Sequence, residues 1–228
     1  MISSHSHSNN NSSVASSSSP LFDYYLILDF EATCDDKIKN FRNEIIEFPT
    51  LAINARTLKI DFEFHYYVKP KENKILTQFC KELTGIQQEW IDTGVEFETV
   101  MKLHNEWMMD HFINKNLKFA FVTCGDWDLK TMITKQCRKE HIKVPSYFSS
   151  WINIKKVYSK MYNKSIHGMT DMLKDLKLDL IGRHHSGIDD CRNIGRVAVE
   201  MLKQGKQLDI TSKIEDFEYE WKSKKNKK

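Results

Sequence analysis

The strongest constraint on the fold is an apolar, β-rich run that carries two acidic residues, 27-ILDFEATCDD-36. Asp29 and Glu31 are two residues apart, so they point to the same face of a β-strand, and their apolar neighbours occupy the other face. Two like charges at this spacing repel and raise each other's pKa unless a positive charge lies between them. The pair indicates an edge strand with a solvated face, an aspartate that caps a turn, or a site for a cation.

The pattern of apolar residues along the remainder of the chain predicts an α/β domain. Apolar, β-rich runs predict strands over 24–32 and 45–54, and alternating polar and apolar residues predict a third strand over 61–68 that closes an antiparallel meander. Another β-rich run, 117–124, is expected inside the sheet. Apolar residues at helical spacing predict helices over 96–113 and 189–203. Further helices are expected over 78–84, 87–91, 128–140, 151–162 and 168–176. The expected fold is a mixed sheet, the meander plus parallel strands, flanked by helices.

The two ends of the chain differ in composition from this domain. Ten serines in the first twenty residues predict a disordered tail over 1–20, because such a segment buries too little apolar surface to fold. The domain is expected over 21–208, followed by an extension over 209–228. Five of the last seven residues, KSKKNKK, are lysines. They form either a solvated tail or a segment that attracts phosphate or directs the chain to the nucleus.

The cysteines bear on the compartment. Five of them are spread along the chain without a CxxC pair, which argues against a zinc finger and against a disulfide framework. Reduced thiols are typical of the nucleus or cytoplasm. The N-terminus lacks the apolar core of a secretion signal, and no apolar run reaches membrane-spanning length. We therefore expect a nuclear or cytoplasmic protein that is not secreted and has no membrane partner.

Two further stretches carry acids at the ends of predicted elements. In 124-CGDWDLKTMI-133 a strand ends and a helix begins with Asp126 and Asp128. In 185-HSGIDDCRN-193, Asp189 and Asp190 follow His185 by four and five residues at another helix start. Each acid alone is explained by capping, since acids in a first helical turn favour the positive end of the helix dipole.

Taken together, these acids predict a metal site. A strand centre, a strand end and a helix start can converge on one cleft of a compact α/β sheet. Carboxylate clusters suit Mg²⁺ or Mn²⁺, whereas zinc prefers Cys and His. Two such ions about 3.5–4 Å apart clamp the attacking and leaving oxygens of a phosphoryl displacement. A site of this kind removes the repulsion between Asp29 and Glu31.

The order of these motifs resembles the DEDDh 3′–5′ exonucleases: a D-x-E pair, an Asp beyond a strand, and then H-x4-D. The segments DFEATC, LTGI, GDWD, WINIKK and GRHHSGIDDCRNI are similar to the branch of enhanced-RNAi and histone-mRNA 3′-end exonucleases. The resemblance extends from about Tyr25 to about Gly205. It implies a ribonuclease H-like exonuclease fold and two metal ions.

The resemblance also implies a role for each motif residue. It assigns two Mg²⁺ ions, for which Mn²⁺ can substitute, to the carboxylates of Asp29, Glu31, Asp128 and Asp190. Asp128 is favoured over Asp126 because it follows a tryptophan, as the family acid does. Asp190 and His185 are favoured over their neighbours Asp189 and His184 because four residues then separate the pair.

The remaining assignments concern catalysis and substrate. His185 is expected to accept a proton from the attacking water, because an unperturbed imidazole is largely neutral at about pH 7. Glu31 is expected both to bind metal and to contact the terminal ribose. The other substrate contacts are expected from His185, the backbone of Ala32, the LTGI segment with Gly85 and Ile86, and Trp127. For Trp127, core packing is an equal alternative to stacking on a base.

These roles predict a metal-dependent 3′–5′ exoribonuclease that releases nucleoside 5′-monophosphates from single-stranded RNA 3′ ends or short overhangs. Its substrate would be small RNA, rRNA or mRNA. A DNA 3′ exonuclease is the alternative, because only contacts to the 2′-OH distinguish RNA. An inactive RNA-binding scaffold is a third, although no metal position holds a neutral residue. Only a serine-rich tail precedes the nuclease, so no accessory nucleic-acid-binding domain is expected and stem-loop selectivity is in doubt.

Overall fold

The acid-bearing run lies at the centre of a mixed β-sheet. The computed structural model describes residues 20–214. The strands in chain order are β1 (Tyr24–Leu28), β2 (Glu31–Ala32), β3 (Ile45–Asn54), β4 (Ile60–Lys69), β5 (Val95–Glu96), β6 (Phe119–Thr123), β7 (Ser150–Asn153) and β8 (Ser212–Lys213). Their order across the sheet is β5-β4-β3-β1-β6-β7-β8, with β2 beside β3. The predicted antiparallel meander of β1, β3 and β4 is confirmed, and β6 and β7 extend it in parallel.

Helices cover both faces of this sheet. They are α1 (Gln78–Thr84), α2 (Gln88–Asp92), α3 (Phe97–Met108), α4 (Ile133–Lys139), α5 (Ile154–Tyr162), α6 (Met169–Asp175) and α7 (Gly187–Lys203). A π-helical turn, Met109–Ile113, continues α3, another, Trp127–Met132, leads into α4, and Ser146–Phe148 forms a 3₁₀ turn. Within residues 20–214, no helix is both long and apolar enough to cross a membrane.

The alternation of β1 decides which layer each of its residues joins. Tyr25 and Ile27 pack into a core cluster with α5, α6 and α7. Leu26, Leu28 and Phe30 pack into the opposite cluster, with α3 and α4. Successive strand residues point to opposite faces, so a single run fills both cores. The fold is therefore the predicted α/β class.

The predicted strand over 24–32 is broken in the structure. Leu28 pairs with Thr50 in β3, and pairing resumes at Glu31 and Glu47. Pro49 lies opposite the gap, and proline has no N–H with which to continue a ladder. The interruption leaves the backbone of residues 29 and 30 free for other contacts.

Two predictions for the second half of the chain need correction. Residues 151–162 were expected to be one helix, but Ser150–Asn153 forms β7 beside β6, and the helix begins at Ile154. Asn153 ends the strand and caps the helix, because its side chain accepts from the N–H groups of Lys155 and Lys156. The sheet also extends past the predicted boundary at 208, since β8 pairs with β7.

The predictions for the two ends of the chain concern residues that the structure does not describe. The serine-rich segment over 1–19 and the lysine-rich residues 222–228 lie outside the described residues. The cysteines, by contrast, are all described, and each is a free thiol: Cys34, Cys80, Cys124, Cys137 and Cys191.

Candidate active site

Three of the predicted metal ligands meet at the break between β1 and β2. Carboxylate oxygens of Asp29, Glu31 and Asp190 lie within 4.8 Å of one another. Asp29 and Glu31 come from the strand break, and Asp190 comes from the first turn of α7, which packs across β1 and β3. A cluster of three carboxylate oxygens at this spacing is a hard-oxygen ligand set of the kind that Mg²⁺ or Mn²⁺ prefers.

The fourth predicted ligand approaches from the neighbouring strand. Asp128 follows β6 in the π-helical turn Trp127–Met132, and insertions of this kind occur frequently at functional sites. Its Oδ1 accepts a hydrogen bond of 3.0 Å from the N–H of Phe30, which the strand break leaves without a ladder partner. The charge of Asp128 raises the pKa of Asp29 and of Glu31. The four acids therefore form one electrostatic unit.

Burial and mutual repulsion disfavour the charged form of these acids. Burial, and then the charges of its acidic neighbours, raise the pKa of Asp29 well above its ordinary value. The same causes raise the pKa of Glu31 to about 9 and that of Asp190 to about 7. Burial raises the pKa of Asp128 to about 6. Four carboxyl groups perturbed in one direction in one cleft are typical of a functional site.

One atom in the cluster indicates what the site holds. Asp190 Oδ2 accepts from the backbone N–H of His185 at 2.9 Å, whereas the buried Oδ1 has no hydrogen-bond partner among residues 20–214. Leaving a buried polar atom unpaired costs about 1–3 kcal/mol. A divalent cation among these carboxylates satisfies this oxygen and neutralises the repulsion. The residues of the cluster fit such an ion.

The structure separates Asp128 from the competing acid Asp126. Asp126 accepts hydrogen bonds from Trp151 and Ser212 at 3.0 and 2.8 Å, and it pairs with Lys156 at 2.8 Å. Burial alone would raise the pKa of Asp126, but the hydrogen bonds from Lys156 and Ser212 and the charge of Lys156 lower it. Asp126 therefore fastens the end of β6 to its neighbours.

Asp189 also lies outside the cluster. Its carboxylate accepts hydrogen bonds from the backbone N–H of Arg183 at 2.9 Å and from the guanidinium of Arg192 at 3.0 Å. Both acids that the motif spacing disfavoured thus have structural partners.

The two histidines are not separated in this way. His184, His185 and Asp190 bring ligand atoms within 4.8 Å of one another, and the two imidazoles stack with centroids 3.9 Å apart. Burial, then the charges of His184 and Arg183, lower the pKa of His185. Its imidazole is therefore neutral at pH 7 and can accept a proton. The backbone of His185 is left-handed, with φ of 66°.

Sequence reasoning missed Glu47, a buried acid in the middle of β3. Glu47 lies opposite Glu31 in the strand register, and its carboxylate accepts from the backbone N–H groups of Gly187 and Ile188 at 2.9 and 3.1 Å. His65 contacts the same carboxylate at 2.8 Å. Glu47 thus holds the N-terminus of α7, which carries Asp190. The available signal was an acidic residue in the otherwise apolar run 45-IIEFP-49.

Gly187 was also missed, and its role is steric. A Cβ built at Gly187 would lie 2.7 Å from the backbone oxygen of Asp29 and 3.1 Å from the Glu47 carboxylate. Real Cβ atoms essentially never come that close to a backbone atom. The absence of a side chain lets the start of α7 approach the strand break closely enough for Asp190 to join the cluster.

Replacing Glu47 tests its anchoring role. We expect Glu47→Gln to lower the free energy of unfolding by about 1.5–3 kcal/mol, because the helix N–H groups lose a charged acceptor. Urea denaturation with saturating Mg²⁺ measures this, since the ion removes any gain from relieved charge repulsion. The matched control is Glu63→Gln on β4, whose carboxylate makes an exposed ion pair with Arg192 at 3.3 Å. Such pairs contribute about 0–1 kcal/mol. Equal losses in the two variants would refute an anchoring role.

The predicted substrate-binding residues differ in how accessible they are to a ligand. Ala32 is buried in β2, and its carbonyl accepts a weak hydrogen bond from the Cys80 thiol at 3.8 Å. Gly85 ends α1 in a left-handed conformation, with φ of 78°. The side chain of Ile86 is buried in a small core cluster, so it is not available to a base. The partly exposed side chain of the LTGI segment at this point is Leu83.

Trp127 is exposed rather than packed in the core. Its side chain is 44% exposed, at the start of the π-helical turn that carries Asp128. The core-packing alternative for Trp127 is therefore wrong. The exposed indole is accessible to a ligand.

Comparisons of this chain with known proteins all point to the same family. Residues 26–198 match the model of the exonuclease family RNase_T. The chain is 46% identical to human ERI1 exoribonuclease 3 over 194 residues, covering 84% of this chain and 57% of the relative. It is 42% identical to mouse 3′-5′ exoribonuclease 1 over 196 residues, covering 85% and 57%. The chain thus spans little more than half the length of these curated relatives.

Solved structures agree with this result. The nuclease domain of 3′hExo, described as a DEDDh family member bound to rAMP, superposes with a TM-score of 0.81 at 39% identity. The match covers 85% of this chain and 98% of that domain. A structure of a 3′-exonuclease in recognition of a histone mRNA stem-loop is similar at 38% identity and a TM-score of 0.81, covering 85% of this chain and 68% of that one.

Proposed function

This chain belongs to the DEDDh exonucleases of the RNase_T family, and we propose that it is a metal-dependent 3′–5′ exoribonuclease. The proposed reaction hydrolyses the last phosphodiester bond of an RNA strand and releases a nucleoside 5′-monophosphate. The observation that carries this proposal is the convergence of Asp29, Glu31 and Asp190 within 4.8 Å, with a buried Asp190 oxygen that has no partner in the part of the chain that the structure describes.

The four acids would hold two divalent cations, for which we propose Mg²⁺, with Mn²⁺ as a substitute. Asp29, Glu31, Asp128 and Asp190 supply the oxygens. When bound, such a pair of ions supplies the positive charge that activates water and stabilises the leaving 3′ oxygen. The raised pKa values support this assignment, because a cation is the partner that favours the charged form of all four groups.

His185 would take the proton from the attacking water. Its lowered pKa keeps the imidazole neutral at pH 7, which leaves one ring nitrogen as an acceptor. The hydrogen bond from its backbone N–H to Asp190 fixes the position of the residue beside the cluster. Glu31 and the backbone of Ala32 would hold the terminal ribose, and Trp127 would contact the terminal base. In this proposal Gly85 lies on the side of the terminal base opposite Trp127. The exposed part of Leu83 contacts the base there, in place of the buried Ile86.

RNA is the proposed substrate because the similar proteins are described as exoribonucleases, one of them bound to rAMP. The five free thiols support a reducing compartment, and we propose the nucleus or cytoplasm. A DNA exonuclease and an inactive RNA-binding scaffold are the competing functions, and one experiment distinguishes them.

The experiment incubates the pure protein with 5′-labelled single-stranded RNA or DNA of matched sequence, with Mg²⁺ or with EDTA. We expect a ladder of RNA shortened from the 3′ end in Mg²⁺ only. Mononucleotide products should carry a 5′ phosphate. Faster loss of DNA would favour the DNA exonuclease, and retention of intact RNA in Mg²⁺ and Mn²⁺ would favour the scaffold.

A further inference from the structure

A groove of about 470 Å³ has Trp127 in its lining. Residues 40–43, in the loop between β2 and β3, form one of its walls, and the turn Trp127–Met132 with α4 forms another. Asp128, the next residue after Trp127, belongs to the cluster. A strand whose 3′ end lies among the acids therefore has this groove as an adjoining surface.

The charge of the groove is positive. Its charged lining residues are Arg42, Lys135, Lys139 and Glu72. Lys139 pairs with Glu44 and with Glu72, at 3.2 Å in each case. Arg42 and Lys135 are exposed, and neither has an ion-pair partner within residues 20–214. Two cations without a counter-charge favour an anionic ligand.

The groove also carries aromatic rings. Trp127 is 44% exposed, and Phe41 on the facing loop is half-buried. Cationic side chains interleaved with exposed aromatic rings are the combination that binds single-stranded nucleic acid, because phosphates pair with the cations while bases stack on the rings. Stacking on these rings requires unpaired bases.

We propose that this groove binds the single-stranded RNA immediately upstream of the 3′-terminal nucleotide. Arg42 and Lys135 contact internal phosphates, and Phe41 stacks on an upstream base, continuing from Trp127. The inference rests on the proposed function, since the upstream strand reaches the groove when the 3′ end occupies the carboxylate cluster.

The test compares a long and a short substrate in the full chain. The long substrate is a single-stranded 12-nucleotide RNA, and the short one is the 4-nitrophenyl ester of uridine 5′-monophosphate. We expect Arg42→Ala/Lys135→Ala to raise the KM for the RNA about ten-fold or more at low salt, through the loss of two phosphate contacts. Hydrolysis of the ester should be unchanged, because one nucleotide occupies only the carboxylate cluster.

The salt dependence gives an independent readout. The slope of log Kd against log salt concentration should fall by about 1.4, since each single-strand phosphate contact contributes about 0.7. The matched control is Lys102→Ala/Lys143→Ala, which removes two exposed lysines from a separate groove lined by α3 and residues 141–147. It should change neither KM nor slope. Phe41→Leu should weaken RNA binding about five-fold or more while leaving the salt slope intact, because a stacked base is lost rather than a charge contact.

Three outcomes would overturn the groove assignment. They are an unchanged KM and slope in the Arg42 and Lys135 double variant, an equal effect of the control pair, or an equal loss on the ester and on the RNA. Failure of the proposed function is recognised separately, because the wild-type chain would then hydrolyse neither substrate in Mg²⁺. The groove is judged in that case by fluorescence anisotropy of the labelled 12-nucleotide RNA, in which the double variant must bind more weakly than the parent chain.

Discussion

Asp29→Asn is expected to abolish RNA hydrolysis while the fold persists. Asparagine has the size of aspartate but lacks its charge and one of its two metal-binding oxygens. A bound divalent cation supplies several kcal/mol of transition-state stabilisation. Losing that contribution corresponds to a fall in rate of about 10³-fold or more. Nucleotide release from labelled RNA in Mg²⁺ measures the loss.

A control and a stability measurement separate this effect from misfolding. Asp36→Asn makes the same chemical change in the exposed loop after β2 and should keep the wild-type rate. In metal-free buffer, Asp29→Asn should melt at or above the wild-type temperature, because the substitution removes repulsion within a cluster of acids. Turnover of the Asp29 variant within a few-fold of wild type would remove Asp29 from the proposed metal site.

The raised pKa values add a pH dependence to the same measurement. The metal-free folded protein binds more protons than the unfolded chain above about pH 4, so its stability should fall as pH rises toward about 9. Metal binding requires deprotonated ligands, and the groups with pKa values of about 6, 7 and 9 are Asp128, Asp190 and Glu31. The rise in melting temperature caused by Mg²⁺ should therefore increase between pH 6 and 9, and Asp29→Asn should reduce it.

His185→Ala should lose about 10²–10⁴ in rate, the usual contribution of a general base, while it still binds metal and RNA. The four acids remain in this variant, so the increase in melting temperature with Mn²⁺ should be retained. Single-turnover hydrolysis at saturating enzyme measures the rate without the contribution of binding. Retained metal binding with lost turnover is the combination that distinguishes a proton acceptor from a metal ligand.

His184→Ala is the control for His185→Ala, and the test is stringent because the two residues are neighbours in the structure. The two rings stack, and both lie within reach of Asp190. We expect His184→Ala to cost little activity, because the backbone hydrogen bond to Asp190 comes from His185. With saturating Mg²⁺, the rate of the wild-type enzyme should rise with pH and reach half of its plateau below the ordinary histidine pKa of about 6.5. A large loss of activity in His184→Ala, or full activity in both histidine variants, would show that His185 is not the proton acceptor.

Local patterns in the sequence were sufficient for much of the fold. The limits of β3 and α1 agree residue for residue with the predicted 45–54 and 78–84. β3 is a β-rich apolar run and α1 is a short segment that ends at a glycine, and both signals depend only on the local sequence. Ser150–Asn153 was the exception, because a short apolar run beside a helix has no distinguishing period. Its pairing with β6 makes it a strand.

The residues of the candidate site also fall into those that the sequence could identify and those that it could not. The resemblance to the family, in which the acid follows a tryptophan, was enough to nominate Asp128 over Asp126, and the structure gives Asp126 a separate network with Trp151 and Lys156. Motif spacing could not reveal Glu47, which lies 140 residues from the Gly187 N–H that it accepts. A contact between residues so far apart along the chain leaves no local pattern to read.

The sequence by itself determined the α/β class, the acid-bearing motifs and the carboxylates that are candidate metal ligands, because residue type and spacing carry that information. The tertiary structure decided how the acids meet. Pro49 interrupts the ladder, Asp128 takes up the freed N–H of Phe30, and Gly187 lets α7 approach the break under the Glu47 carboxylate. Each of these contacts joins segments that are distant in sequence, so only the packed sheet and helices could set the geometry of the cluster.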